Sequence, residues 1–346
     1  MFDLTEEQTM LKDMLVRFLA ETEGDAWSEL AELGVIGALF PEAQGGFGGS
    51  GADLAVVFEE IGRACNPVPL IECALLPGLL LGAAGQDLSG VIAGTDKLAL
   101  AHAEVAARYD LDWVETEVSD GRITGDKAVV TGAPTAARFL VTARHSGAPG
   151  DREGIGLYLV DADAPGLSLN AYQTIDGAQA ADLTLSDAPA TLVLEEVLPA
   201  LERAYAAATL AQCADTLGAM EQAAHMTREY LTTRQQFGRA IGTFQSLAHR
   251  LADMMLAVEQ ARSAVLLAAA SLNGPEQDID IAACKNLLGR MGRLVAEDAI
   301  QLHGGIGMTD EYALGRLAKR IIMADHRFGD TDHHLERFIA LSKGAA

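Results

Sequence analysis

Arg234-Gln235-Gln236-Phe237-Gly238-Arg239-Ala240-Ile241-Gly242-Thr243-Phe244-Gln245 sets cations beside glycines between two long segments of helical period. An arginine at such a junction can bond phosphate oxygens bidentately, and glycines let a ligand or a second chain approach the backbone closely. The same residues also suit an ordinary helix–helix loop with a solvated arginine. Beyond the segment, Leu247, Leu251, Met254, Val258, Ala261 and Val265 recur on one helical face. Ile281, Leu287, Leu288, Met291, Leu294 and Val295 recur on another. Helices of this length pack antiparallel in a bundle; Asn273-Gly274-Pro275 ends the first, and Asp278 or Asp280 can cap the second.

Two more glycine-bearing segments follow. Gln301-Leu302-His303-Gly304-Gly305-Ile306-Gly307 closes an apolar helix, where glycines either stop the helix or expose backbone N–H groups to a pyrophosphate. Phe328-Gly329-Asp330-Thr331-Asp332-His333-His334 lies between two helical patterns. Adjacent histidines on a helix point apart, and no i, i+4 pair with a flanking glutamate occurs, so a metal site is not expected.

Upstream, from about 96 to 195, short runs rich in Val, Leu, Ile and Thr alternate with turn residues, as in antiparallel sheet. Val114-Glu115-Thr116-Glu117-Val118 alternates, Ser119-Asp120-Gly121 can turn the chain, and Ala128–Thr131, Phe139–Val141 and Leu157–Val160 supply later strands. Helical stretches precede it near 26–35, 52–64 and 70–84, and Thr5 with Gln8 has the spacing of a capping box. The glycine-rich 45–51 lacks the Lys-Ser/Thr of a P-loop and reads as a flexible turn. The order is helical (1–95), sheet (96–195), helical (196–346), an α+β chain.

The 346 residues, 49% of them hydrophobic and 21% charged, can bury a large core. A formal charge of −24 opposes broad contact with nucleic acid or anionic membranes, both of which need surplus Lys and Arg. Cys65, Cys73, Cys213 and Cys284 are scattered, as expected of reduced thiols in apolar space. The opening MFDLTEEQTMLKDML has neither the basic region nor the apolar run of a secretion signal, and the expected place is the cytoplasm. Ser50, Ser246 and Ser263 lack a nucleophile-elbow setting, which disfavours hydrolase chemistry.

The three segments, with the opening LTEEQ and the strand Thr124-Gly125-Asp126-Lys127-Ala128-Val129-Val130-Thr131, together resemble the acyl-CoA dehydrogenase family over nearly the whole chain. The resemblance implies an N-terminal helical domain, a middle antiparallel β domain and a C-terminal four-helix bundle, with FAD bound where two subunits meet. It implies that Arg234, Phe237 and Gln245 contact the diphosphate and adenosine half of FAD. Gln301, Gly304 and Gly305 would then approach the dinucleotide of a neighbouring subunit, Thr331 would sit near FAD, and Thr131 near a flavin ring. The family removes a proton beside a thioester carbonyl while hydride passes to the flavin, which demands a positioned carboxylate.

That carboxylate is missing where the resemblance puts it. The usual position is Gly329 and the alternative, on the first bundle helix, is Ala208. Asp330, Glu202 and Glu221 are the nearby carboxylates for a shifted base. The loop expected to touch flavin and substrate reads Ala101-His102-Ala103-Glu104-Val105-Ala106-Ala107, and Val129 stands where a flavin-facing tryptophan is expected. Groups for the dinucleotide persist while groups for the reactive centre are lost. The expectation is therefore a subunit without the base, completing the FAD site of a second acyl-CoA dehydrogenase-like subunit in an α2β2 heterotetramer. Its substrate would be an acyl-CoA, in this type a steroid side-chain thioester, and its acceptor an electron-transfer flavoprotein or similar carrier. A self-sufficient homotetramer with a displaced base and a flavin-free scaffold are the alternatives.

Overall fold

Thr5 caps the first helix as its spacing with Gln8 predicts: Gln8 N donates to Thr5 Oγ1 and Thr5 N to Gln8 Oε1, both at 3.1 Å. The structure, a computed structural model, describes residues 4–22, 24–309 and 311–344. Its helices are α1 (Glu6–Glu21), α2 (Trp27–Glu32), α3 (Gly51–Ala64), a π-turn (Ile71–Leu75) running into α4 (Leu76–Ala83), α5 (Ser89–Ile92), α6 (Leu198–Thr233), α7 (Gln245–Ser271), α8 (Gln277–His303), α9 (Leu314–Asp325) and α10 (Thr331–Gly344). Its strands are β1 (Leu98–Ala101), β2 (Glu117–Ser119), β3 (Arg122–Thr131), β4 (Arg138–Arg144), β5 (Ile155–Asp161), β6 (Leu167–Gln173), β7 (Gln179–Pro189), β8 (Thr191–Leu194), β9 (Gln235–Gln236) and β10 (Arg239–Ala240).

These elements form two units. One comprises Met1–Gly24, Ser50–Asn66 and Thr209–Ala346; the other comprises Asp25–Gly49 and Pro67–Ala208. In the helical unit, α8 packs on α7, α9 and α10, and α3 packs on α1 and α7. The apolar faces read from the sequence supply its core: Met254, Val258, Ala261 and Val265 of α7 and Ile281, Leu288 and Val295 of α8 are buried. Helices α3 and α6 approach so closely that a Cβ on Gly218 would lie 1.8 Å from the Glu59 carbonyl oxygen, which only glycine avoids. Asp278 and Asp280 lie inside the first turn of α8 and do not cap it; Glu276 holds the cap position without a side-chain bond. Their charge there still complements the helix dipole.

In the sheet unit the strand order is β6-β7-β3-β2-β4-β5-β8, with β1 beside β4. Pairing is mostly antiparallel, but β1 runs parallel to β4, from Leu98 opposite Arg138 to Ala101 opposite Val141, and Glu117 of β2 also meets β4 in parallel. The alternating run at 114–118 becomes regular strand only from Glu117. The Glu104 carboxylate captures the N–H groups of Glu115 (2.6 Å) and Thr116 (3.1 Å), so these never enter a ladder. Glu104 also accepts from Thr116 Oγ1 at 2.7 Å and from the fully buried Lys127 Nζ at 2.6 Å. Burial pulls Lys127 down to about 8 although Glu104 opposes it. Burial pushes Glu104 up, but Lys127 and the hydrogen bonds outweigh that and hold it below the usual carboxylate range.

The glycine-rich turn is not loose. Gly46, Phe47, Gly48 and Gly49 each donate a backbone hydrogen bond to the segment Gly37–Pro41, at 2.9–3.1 Å. A Cβ on Gly46 or Gly48 would fall 2.1 or 2.2 Å from a carbonyl oxygen, so glycine serves close backbone packing here and not flexibility. No helix among the described residues is long and apolar enough to cross a membrane.

Candidate functional site

At the end of α6 the chain folds into a hairpin. Arg234 N donates to Tyr230 O (2.8 Å), Ile241 N donates to Arg234 O (2.9 Å), and β9 pairs antiparallel with β10. Phe237 and Gly238 form the two-residue tip with φ of 54° and 79°, the positive pair that a type I′ turn requires. No described residue covers the tip, and Phe237 is 88% exposed. The Arg239 guanidinium lies 4.0 Å over the Phe244 ring, which itself meets Phe237 edge-on. Arg234 is exposed and, among the described residues, has no ion-pair partner; Gln245, also exposed, opens α7.

His303 ties the second segment to this hairpin. Its ring stacks on Tyr230 at 4.5 Å, Nδ1 donates to Ala299 O at 2.9 Å, and Nε2 accepts from Tyr312 OH at 3.2 Å. Burial lowers its pKa and so favours this neutral ring. Gln301, two residues before it, and Gly304 and Gly305, just beyond, are exposed, and a Cβ on either glycine would meet nothing within 4 Å. The foot of the hairpin and an open backbone ledge are thus neighbours. An unpaired guanidinium, an uncovered aromatic ring and bare glycine backbone form a donor set that fits a dinucleotide diphosphate with its adenine.

Thr331 is not part of that group. It lies against α8 near Gly289, about 21 Å of helix before His303, and its hydroxyl donates to Asp325 Oδ1 at 2.8 Å. Thr131 ends β3 in the sheet unit, half-buried and opposite Ala180.

The positions expected to hold a base are closed. Gly329 is buried with φ of 98°, and a Cβ there would lie 2.6 Å from His333 Cδ2 and 2.6 Å from His334 Nε2. Its carbonyl accepts from Lys285 Nζ at 2.7 Å, and the same ammonium donates to Ala324 O and Asp325 O, both at 3.0 Å. Burial pulls Lys285 below its ordinary value. His334 Nε2 donates to Phe328 O at 2.8 Å, and burial pulls this imidazole down to about 3. Ala208 is wholly buried.

The three substitute carboxylates are engaged elsewhere. Asp330 Oδ1 accepts from His333 N at 2.8 Å, capping α10. Glu202 pairs with Arg152 at 2.7 Å, and Glu221 pairs with Arg63 and Arg262. Although the two adjacent histidines are expected to diverge, their rings meet edge to face at 5.1 Å. No group of three or more His, Cys, Asp or Glu among the described residues is arranged to hold a metal ion. Sequence reasoning passed over Lys285, which carried a signal. It sits four residues after Ile281 and three before Leu288, on the apolar face of α8, where a lysine must find acceptors.

The fold is shared with known proteins. Residues 5–84 match the N-terminal domain of acyl-CoA dehydrogenases and residues 201–339 the C-terminal domain. The structure of the Tcur3481-Tcur3483 steroid ACAD G363A variant superposes with a TM-score of 0.86 and 32% identity, over 99% of each chain. The ChsE4-ChsE5 complex from Mycobacterium tuberculosis gives a TM-score of 0.86 and 25% identity, over 100% of this chain and 99% of that one. The probable acyl-CoA dehydrogenase YngJ of Bacillus subtilis is 28% identical, over 92% of this chain and 93% of its own.

Proposed function

The chain belongs to the acyl-CoA dehydrogenase family, and from that premise we propose that it serves as the base-lacking subunit of a heteromeric, FAD-dependent acyl-CoA dehydrogenase. The observation that carries this reading is Gly329: its left-handed backbone and the two imidazoles against its Cβ position disfavour a carboxylate side chain there, and Lys285 bonds its carbonyl. FAD, when bound, would supply the acceptor for hydride leaving the β-carbon of the thioester. This chain would hold the dinucleotide through Arg234, Phe237 and Gln245, which would contact its diphosphate and adenosine half. Gln301, Gly304 and Gly305 would present amide and backbone to the dinucleotide of a neighbouring subunit; Thr331, set apart from them against the far part of α8, would sit near another part of FAD, and Thr131 near the flavin ring. The α-proton requires a carboxylate, and a second acyl-CoA dehydrogenase-like subunit supplies it.

Two similar structures carry paired names, Tcur3481-Tcur3483 and ChsE4-ChsE5, and the first is named a steroid ACAD. The names support a second acyl-CoA dehydrogenase-like subunit and a steroid side-chain acyl-CoA as substrate; the proposal adds an α2β2 stoichiometry, a cytoplasmic place and an electron-transfer flavoprotein or similar acceptor. The test is to purify the chain alone and co-expressed with its partner, then measure size, flavin absorbance and desaturation. The expected result is a yellow, active heterotetramer and an inactive lone chain. A lone chain that forms a fully active yellow homotetramer overturns the proposal. In the complex, Arg234→Ala should weaken FAD binding ~10–100-fold, the loss of a charge-assisted phosphate contact. Unchanged FAD content would show that this chain does not hold the cofactor.

A further inference from the structure

Val129 is a β-branched residue in the left-handed region, with φ of 52°, and its side chain is 54% exposed. A branched Cβ resists that conformation. The cause lies in the strand register. Lys127 pairs with Leu183 and Val130 with Ala181, so β3 carries one residue more than β7 between them, a β-bulge. Strict alternation from buried Ile123 and Lys127 would bury residue 129; instead Val130 is buried and Val129 faces out. The bulge therefore sets on which face of the sheet Thr131 lies.

A side chain, not a strand partner, holds the bulge. Val129 N donates to Asp182 Oδ1 at 2.9 Å, and Tyr172 OH donates to the same oxygen at 2.9 Å. Burial first, then this hydrogen bond, push the Tyr172 phenol up to about 12, so it remains a donor. Two strands thus meet on one carboxylate oxygen behind a strained, solvent-facing backbone. Strain kept at an exposed position by dedicated partners marks a surface built to meet something.

We infer that Asp182 and Tyr172 are positioning residues for the flavin, fixing the Val129 bulge so that Thr131 and the backbone beside it are presented to the ring. The inference rests on the FAD reading above and on the place of Thr131 in it. Asp182 touches neither cofactor nor substrate in this scheme; it acts through the strand.

The test uses the purified heteromeric complex and reads FAD content, flavin absorbance and circular dichroism, and melting temperature. Asp182→Ala removes the acceptor, and FAD is expected to dissociate ~10-fold more readily, with a shifted flavin spectrum. Asp182→Asn keeps an oxygen for both donors and should restore both readouts; Tyr172→Phe should shift the spectrum less than Asp182→Ala. Should Asp182→Ala fail to fold, Val129→Gly is added, since glycine adopts this φ freely. The double variant is expected to regain stability while its flavin spectrum stays displaced. A wild-type spectrum and FAD content in Asp182→Ala, or in the double variant, overturns the inference and leaves the FAD reading standing. A colourless wild-type complex overturns the FAD reading, and this inference with it.

Discussion

The hairpin at 234–240 and the loop at 326–331 belong to the same helical unit but treat their polar groups in opposite ways. The hairpin leaves its groups unused: Arg234 has no ion-pair partner among the described residues, Phe237 is uncovered, and the nearby Gly304 and Gly305 border open space. The loop uses its groups internally: Lys285 donates to three carbonyls, His334 to Phe328, Asp330 caps α10, and Thr331 bonds Asp325. Unspent groups are available to a ligand, whereas spent groups hold the fold. On the proposed reading, one region is kept for binding and the other spends its polar groups on the fold.

The comparison is exposed to test first at Lys285. Lys285→Met leaves three carbonyls without their donor and should cost about 3 kcal/mol in a urea melt; a cost near zero would mean the loop does not depend on the ammonium. Gly329→Ala imposes a side chain on a left-handed backbone beside two imidazoles and should cost about 2 kcal/mol.

Acid offers a third probe. The His334 pKa is depressed from 6.5 to about 3, so its contribution is full above pH 6.5 and is lost as pH falls toward 3. At pH 5.5 the loss is about 1.4 kcal/mol. Melts of His334→Gln across pH 7 to 5 should lack that share of the decline; an unchanged slope would refute it. The smallest stability effect is expected at Gly305→Ala, within about 0.5 kcal/mol of the parent, because its Cβ would meet nothing. On the proposed function the same change should weaken FAD binding in the complex, which separates a ligand-facing glycine from the structural one at 329.

Much of this was legible in the chain. The Thr5–Gln8 box, the change of period near 96 and again near 196, and the three glycine-bearing segments follow from local chemistry, and the structure places regular elements around them. What could not be read depends on partners distant in sequence. The parallel pairing of β1 with β4 joins strands some forty residues apart, and strand composition carries no direction. The Glu104 carboxylate withdraws Glu115 and Thr116 from an otherwise good strand pattern. Val129 contradicts its own propensity because Asp182, more than fifty residues later, takes its N–H. At the site, Gly329 was legible as a missing carboxylate, but its closure by Lys285, His333 and His334 required knowing where α8 and α10 place those side chains.

The closure at 329 also bears on descent. A single-codon return to glutamate would meet two imidazoles and a disallowed backbone before it could take a proton, so the first step back would be unstable and inactive. Recovery would also need room made at His333 and His334. On the proposed reading, the fold has become a ratchet that makes reliance on a companion enzyme hard to reverse.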